Sequence, residues 1–440
     1  MSGLFDGTFA RGGAAAAVSD PAWIDALLDV EAALARAAAR TGLVPTTAAD
    51  AVTRACAEPA GLDLATVVAR AADAGNPVPP LVRVLQDAVG RDAARAVHVG
   101  ATSQDVLDTA LVLVARRAIA AIDRDLAVAA EAAAGLARAH RDDVVMGRTL
   151  LQQALPTTFG LKAAGWLAGL EGARARLAAV GASLPVQYGG AVGTLAASEG
   201  SGVDLRDALA AELGLATTAL AWHTVRLPIA DLAGALGAAA GVLATVAVDV
   251  VLMAQSEVGE LSEGGSRGGS SAMPHKHNPV AAVSARACAR RAPGLVATLF
   301  AAMEQEHERS AGAWHSEWPT LGDLLSSVGS AAAWLGECLA GLRPDVVRMA
   351  ENVAAARDPE LAGALADALT PSLGRGAAHD AAAEAVREAR RSGRPLADVL
   401  AGRSDVDGTG LLSGGPDVGE AAAQVDAVLT EYDRRTGRTS

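Results

Sequence analysis

The sequence predicts an all-α fold with a long central helical bundle, and three observations predict it. Five stretches, near 106–139, 157–180, 228–262, 280–306 and 320–342, are long, rich in alanine and poor in turn residues. Helices of that length make an elongated bundle. Hydrophobic residues are 51% of the chain but aromatics only 3%, the composition of close-packed helices with small side chains at their contacts. Strand signals are nearly absent; only the turn-rich patch at 184–195 suggests a short irregular or extended piece.

A chain of 440 residues can bury a large core and divide into two or three domains. The texture suggests an N-terminal helical domain over 1–104, the central bundle over 105–350 and a small C-terminal helical domain over 351–440. The net charge of -13 argues against nucleic acid as a partner, because phosphate binding needs a basic surface. A local cluster of cations can still hold a small anion inside an acidic protein. Cys56, Cys288 and Cys338 are odd in number and far apart, so no disulfide framework follows, and a reducing cytoplasm is the natural reading. The first residues show no basic region followed by a long apolar run, so no signal peptide is expected. The uncharged run Leu232 to Val248 is 17 residues long, short of the roughly 20 a membrane span needs. It reads as a buried bundle helix rather than a membrane segment. A helix apolar on most faces needs neighbours on most faces, so an oligomer that buries the bundle is expected.

In chain order, residues 1–20 are irregular and contain Arg11. Ser19-Asp20-Pro21 then signals a helix start, with a capping residue before proline. The helix from about Ala22 to Arg40 presents Trp23, Leu27, Leu28, Val30 and Leu34 at helical spacing, and Thr41-Gly42 ends it. Further helices are expected near 46–57, 63–74 and 81–97. At His98 the texture changes to HVGATSQDVLDTA. Thr102 and Ser103 stand just before a long apolar helix, where hydroxyls cap and the N-terminal amides favour an anion. Alone, this pair is equally consistent with a plain N-cap, and His98 with a packed histidine. After Pro344 shorter helices follow near 345–356, 359–369, 376–392 and 395–402, then a glycine-rich loop at 407–415 and a last helix to about Arg434.

The densest string is Gly264 to Pro279, GGSRGGSSAMPHKHNP. Its glycines let the backbone move and approach a ligand closely. Ser270 and Ser271 follow them, and Lys276 and Asn278 add a charge and a neutral fork between two prolines. This string resembles the signature loop of the fumarase/aspartase superfamily, whose members add or remove a group beta to a carboxylate. HVGATSQDVLDTA resembles the first signature region of the same superfamily. GRTLLQQALPTTFG, Gly147 to Gly160, resembles the third. There a histidine usually follows the position of Thr149, and many members, adenylosuccinate lyases especially, carry a second histidine three residues on. Here those positions hold Leu150 and Gln153. In the lyases such a histidine protonates a poor leaving group. Its loss points to a dead enzyme or to a reaction whose moving group needs no proton.

A carboxylate, with a pKa near 4, is such a group. One branch of the superfamily, the 3-carboxy-cis,cis-muconate cycloisomerases, adds a substrate carboxylate to the substrate's own double bond. The chain resembles that branch through FARGGAAAAVSD, HVGATSQDVLDTA, GGSSAMPHKHNPVAAV and QEHERSAGAWHSEW, the last at 305–318. The resemblance implies a three-domain all-α fold and a homotetramer with each site shared between subunits. It also implies a small polycarboxylate substrate and no cofactor. It matches Ser270 to the catalytic serine and keeps His98 as a second catalytic candidate. Thr102, Ser103, Thr149, Gln152, Ser271, Lys276, Asn278, Arg309 and, most weakly, Arg11 match substrate-binding positions. Arg309 would otherwise read as a helix-surface charge. His275 and His277 have a metal-like spacing but no acidic or thiol cluster beside them, so no metal is expected. Trp314 and Trp318 read as packing, and His140 and His315 as structural. An adenylosuccinate-type lyase and a catalytically silent scaffold of the superfamily remain the alternatives.

Overall fold

The computed structural model describes residues 3–265, 267–269, 273, 276–356, 358–403 and 415–438. After two short helical turns, Asp6–Phe9 and Gly13–Ala17, come α1 (Asp20–Arg40), α2 (Thr46–Ala57), α3 (Leu64–Ala71) and α4 (Val78–Val89). The long α5 (Ser103–Ala139) is followed by strands β1 (Val144–Thr149) and β2 (Gln152–Thr158). Then come α6 (Phe159–Ser183), α7 (Gly202–Leu213), α8 (Leu227–Met253), β3 (Leu261–Glu263), α9 (Val280–Ala289), α10 (Ala292–Ala301), α11 (Ala313–Ala340) and β4 (Leu342–Pro344). The C-terminal helices are α12 (Val346–Ala355), α13 (Asp358–Leu373), α14 (Arg375–Ser392), α15 (Leu396–Ala401) and α16 (Ala421–Thr436).

α1 begins where expected, with Pro21 in its first turn, but the Ser19 hydroxyl donates back to the Ala16 carbonyl instead of capping. Its end is a glycine stop. Gly42 has φ 78°, the Leu43 N–H reaches the Ala38 carbonyl at 2.9 Å, and the Gly42 N–H reaches Ala39 at 3.1 Å.

The expected 280–306 helix is two helices. Pro293 has no N–H to give, so α9 closes and α10 restarts with the proline in its first turn. The expected 228–262 helix stops at Met253, whose carbonyl accepts from the Glu260 N–H at 2.9 Å as the chain turns back. α11 starts earlier than the expected 320 and carries Pro319 inside it. α8 is the one described helix long and apolar enough to cross a membrane by length and composition, with mean hydropathy 2.1 in its most apolar window. Only 44% of that window is buried within the chain.

Two small antiparallel sheets depart from the near-absence of strands. β1 pairs with β2 and β3 with β4. The first is a hairpin closed by the Thr149–Gln152 pair. Leu150 (φ 52°) and Leu151 (φ 64°) form its two-residue tip. Both central residues of such a turn need positive φ, which Asn-Gly supplies readily and leucine does not. The turn is therefore silent in the sequence, and the leucines are 97% and 74% exposed at its tip.

By its internal contacts the chain falls into two units. The first is Met1–Val128, Leu170–Ala247 and Val283–Gly336; the second is Ala129–Gly169, Val248–Ala282 and Glu337–Ser440. The first has a core of Leu28, Leu34, Leu81, Leu85, Leu113 and Trp314, with α1 packed on α2 and α7. In the second, Leu361, Leu365, Leu369, Leu396 and Leu400 hold α13–α15 together, and Met146 of β1 packs with Val353 and Ala356 at α12.

The hairpin tip carries a testable cost. A non-glycine residue in the left-handed region costs about 1–2 kcal/mol. Replacing the pair by Leu150→Asn with Leu151→Gly should slow amide hydrogen exchange at Arg148 and Gln153. Faster exchange would show that something other than local turn geometry holds the tip.

Candidate active site

The chemistry-bearing residues of the first unit gather at the N-terminus of α5. Thr102 precedes the helix, and its N–H donates to Asp105 Oδ2 at 2.9 Å, half of a capping box. Asp105 also accepts from the Gly189 and Gly190 N–H groups at 3.0 and 2.8 Å and faces His223 Nε2 at 2.7 Å. The loop 189–190 is thus pinned to the helix start. The Thr102 and Ser103 hydroxyls have no hydrogen-bond partner among the described residues, so both remain available at the positive end of a 37-residue helix.

His98 sits in left-handed backbone, φ 59°, held by Glu31 of α1. Its N–H donates to Glu31 Oε2 at 2.9 Å, and its ring Nδ1 lies 2.7 Å from Glu31 Oε1. A carboxylate only accepts, so Nδ1 carries a proton and Nε2 is the nitrogen that can gain or lose one. Burial disfavours the imidazolium. The Glu31 charge and hydrogen bond, with the Asp105 charge, outweigh it, and the His98 pKa is raised above the ordinary histidine value. An oriented imidazole with one nitrogen presented is the arrangement of a general acid–base.

Beneath this cluster lies a buried polar network. Arg226, fully buried, donates to Asp108 from Nη1 at 2.7 Å and Nη2 at 3.1 Å, and to Glu317 from Nε at 3.0 Å and Nη2 at 2.6 Å. Its guanidinium stacks on Trp222, 4.6 Å from the ring centroid. Asp108 also accepts from Trp314 Nε1 at 2.8 Å, so the tryptophan read as packing also anchors the network. Burial raises the Glu317 pKa, while the hydrogen bond and charge of Arg226 oppose the shift. Arg309, read as a binding residue or a surface charge, is half-buried, and its Nε donates to Gln104 Oε1 at 3.1 Å.

His98, Thr102, Ser103 and Arg309 are therefore brought together. Arg11 is not brought to them within one chain. Its guanidinium lies over Trp334, 4.0 Å from the ring centroid, and its N–H donates to Ser330 Oγ at 3.0 Å. Ser330 is sixteen residues beyond Trp314 on α11, about 24 Å along the helix.

The second unit holds the remaining candidates. Thr149 and Gln152 face each other across the exposed end of the hairpin. The preceding Arg148 grips the buried Glu260 with two bonds of 2.8 and 2.7 Å, and Asn352 Nδ2 donates to the same carboxylate at 2.8 Å. Glu260 leads into β3 and the signature loop. The loop's stems are clasped: Gly264 N–H donates to the Gly341 carbonyl at 2.8 Å, and Glu263 caps α9 through the Ala281 and Ala282 N–H groups at 3.0 and 2.7 Å. Its neck closes where the Gly268 carbonyl accepts from Asn278 N and Nδ2 at 2.9 and 3.0 Å. Gly268 has φ 86°, and a Cβ there would collide with the Asn278 carbonyl, so only glycine fits the neck. Asn278 spends its amide N–H on this closure and keeps its oxygen for other use. Lys276 is exposed and forms no ion pair with a described residue. Ser270, Ser271 and His275 lie outside the described residues. Among the described residues no group of three potential metal ligands comes together.

Sequence reasoning missed Glu31, Gln104, Asp105, Asp108, His223, Arg226 and Glu317. Signals were present. Glu31 interrupts the apolar stripe of α1 between Leu27 and Leu34, and Asp105 and Asp108 stand three apart on the inward face of α5. Nothing local names their partners.

The His98–Glu31 pair has a pH signature. Because the folded pKa is raised, the pair's stabilisation is fully present below the unfolded histidine value, about 6.5, and is lost as pH rises through the folded value. Unfolding free energy should fall across that window, and Glu31→Gln should remove that part of the slope. An unchanged slope in Glu31→Gln would show that the pair does not set it.

A protein-family model described as lyase matches residues 15–294. A 3-carboxy-cis,cis-muconate cycloisomerase of Bradyrhizobium diazoefficiens is 47% identical over 359 residues, 80% of this chain and 79% of that one. A nitrosuccinate lyase of Streptomyces davaonensis is also 47% identical, over 365 residues, 80% of this chain and 77% of that one. The crystal structure of a 3-carboxy-cis,cis-muconate lactonizing enzyme from Pseudomonas putida matches with a TM-score of 0.89 and 38% identity, covering 98% of this chain and 99% of that one. With family signatures in three separate segments, an all-α architecture and similarity of this extent, the chain belongs to the lyase family of the fumarase/aspartase superfamily.

Proposed function

We propose that this protein is a 3-carboxy-cis,cis-muconate cycloisomerase, forming 4-carboxymuconolactone. The observation that carries the reading is the hairpin tip. Where superfamily members usually present histidine, this chain presents an exposed Leu150, and the following strand carries Gln153. A reaction that moves an ionised carboxylate needs no proton donor at that point. The cycloisomerase and lactonizing-enzyme relatives support the same reaction.

The chemistry balances within one molecule. A substrate carboxylate oxygen forms a bond to a carbon of the diene as the C=C bond opens. The electron pair passes into a neighbouring carboxylate, and a proton is then delivered to the adjacent carbon. No electrons enter or leave, so the reaction calls on no redox cofactor. The transient extra charge is met by cations and oriented donors: Arg309, Lys276 and the Thr102–Ser103 helix N-terminus. The family motifs assign Asn278, Thr149, Gln152 and Ser271 to the same substrate, in sites shared between subunits. The family motif makes Ser270 the proton donor; His98, with Nε2 presented, is the second acid–base group. In a homotetramer with shared sites, Arg11 serves the site of another copy. The partly covered apolar face of α8 fits burial against such copies. The three buried cysteines suit a reducing cytoplasm.

The nitrosuccinate lyase favours a second reading. Nitrite, like a carboxylate, departs as a stable anion, and the identity is equal. An adenylosuccinate-type lyase would need the missing histidines, and a silent scaffold would have no use for the closed Gly268–Asn278 neck.

Purified protein given 3-carboxy-cis,cis-muconate should bleach the diene ultraviolet absorbance and release no nitrite from nitrosuccinate. Nitrite release without diene loss would replace the first reading by the second, and neither activity would leave the scaffold. Light scattering should report four chains per particle, and an active monomer would sink the shared site.

A further inference from the structure

We infer that Gln104 is a positioning residue that holds Arg309 with its charge uncompensated and its Nη edge turned to the substrate, an inference resting on the reading of Arg309 as a carboxylate-binding residue. Gln104 is fully buried. Its Nε2 donates to the His223 carbonyl at 2.8 Å and to Asp108 Oδ2 at 3.2 Å. Both acceptors are oxygens without a proton to give, so the flipped amide would set oxygen against two oxygens. The orientation is therefore determined, and Oε1 must face the other way, where it accepts from Arg309 Nε at 3.1 Å.

The partners of this amide are themselves immobile. Asp108 Oδ2 also takes Arg226 Nη1 at 2.7 Å and Gln187 Nε2 at 3.2 Å, and Gln187 Oε1 in turn accepts from the Trp222 N–H at 2.8 Å. Arg309 is thus fixed by a rigid series of bonds running back to the Arg226 core.

Two arginines meet this network, and they are treated in opposite ways. Arg226 is matched by two carboxylates. Arg309 is met by a neutral amide, so its positive charge is left whole. Its Nη2 is buried and has no hydrogen-bond partner among the described residues. A buried guanidinium N–H without an acceptor is costly, and with Nε occupied the Nη edge is the part left to take a carboxylate. A carboxylate at position 104 would cancel that charge; a shorter side chain would let the guanidinium swing. Gln104 meets both requirements, by length and by neutrality.

The test uses steady-state kinetics of the full-length protein with 3-carboxy-cis,cis-muconate and the variants Gln104→Met, Gln104→Asn, Arg309→Met and the double variant Gln104→Met with Arg309→Met. Gln104→Asn keeps the amide donors but falls one methylene short of Arg309, so it reports even if Gln104→Met does not fold. Arg309→Met should raise KM by about ten-fold or more, the loss of a charged hydrogen bond. Either Gln104 variant should raise KM several-fold while kcat changes less. On the Arg309→Met background, Gln104→Met should raise KM no further. An equal KM effect with and without Arg309, or a fall in kcat alone, would make Gln104 a general core residue and overturn the proposal. An unchanged KM in Arg309→Met would instead overturn the reading of Arg309 as a carboxylate binder, whatever Gln104 does.

Discussion

The buried contact among Asp108, Arg226 and Glu317 is what the first unit depends on. Three ionisable side chains stand wholly away from solvent on α5, at the start of α8 and on α11. Each ion loses several kcal/mol of hydration on burial, and only near-complete hydrogen bonding offsets the loss. The bonds from Trp314, Gln104, Gln187 and Gln305 to the two carboxylates meet that requirement. Removing any one partner would leave charge stranded in the core. The site above has little freedom as a result: His223 and Gln104 are placed by this arrangement, Asp105 by His223, and Thr102 by Asp105.

Much of this architecture was legible in the sequence, for identifiable reasons. α1 and α5 announce themselves because helical periodicity and caps are local, and both lie close to the expected boundaries. The breaks that were missed are local too. That between α9 and α10 is marked by Arg290-Arg291 and Pro293-Gly294 and was legible, whereas the hairpin tip is built from leucines where no turn residue advertises it. The site divides along the same line. His98, Thr102 and Ser103 fall within one short string, so motif and geometry coincide. The residues that orient them do not. Asp108 and Arg226 are 118 positions apart, and Arg226 and Glu317 are 91. Pairing across such distances is decided by packing and leaves no spacing to read.

The missing histidine gains meaning from its surroundings. Had Leu150 been buried, it could be dismissed as core. It is instead nearly fully exposed in strained backbone on a hairpin pinned at Arg148 by a buried carboxylate. Strain held by a rigid base marks a segment shaped for something other than its own stability. On this hairpin the chain departs from the histidine-bearing pattern at two side chains, Leu150 and Gln153.

The clasp at the stems of the signature loop reaches beyond catalysis. Gly264 and Gly341 meet through backbone atoms, and Glu263 grips backbone N–H groups of α9. None of these contacts consults the side chains carried between the stems. The neck itself needs Gly268 and the Asn278 amide, and Arg267 pairs with Glu337. Such a mount lets a lineage, or an engineer, try new chemistry at the tip while the bundle keeps folding as before.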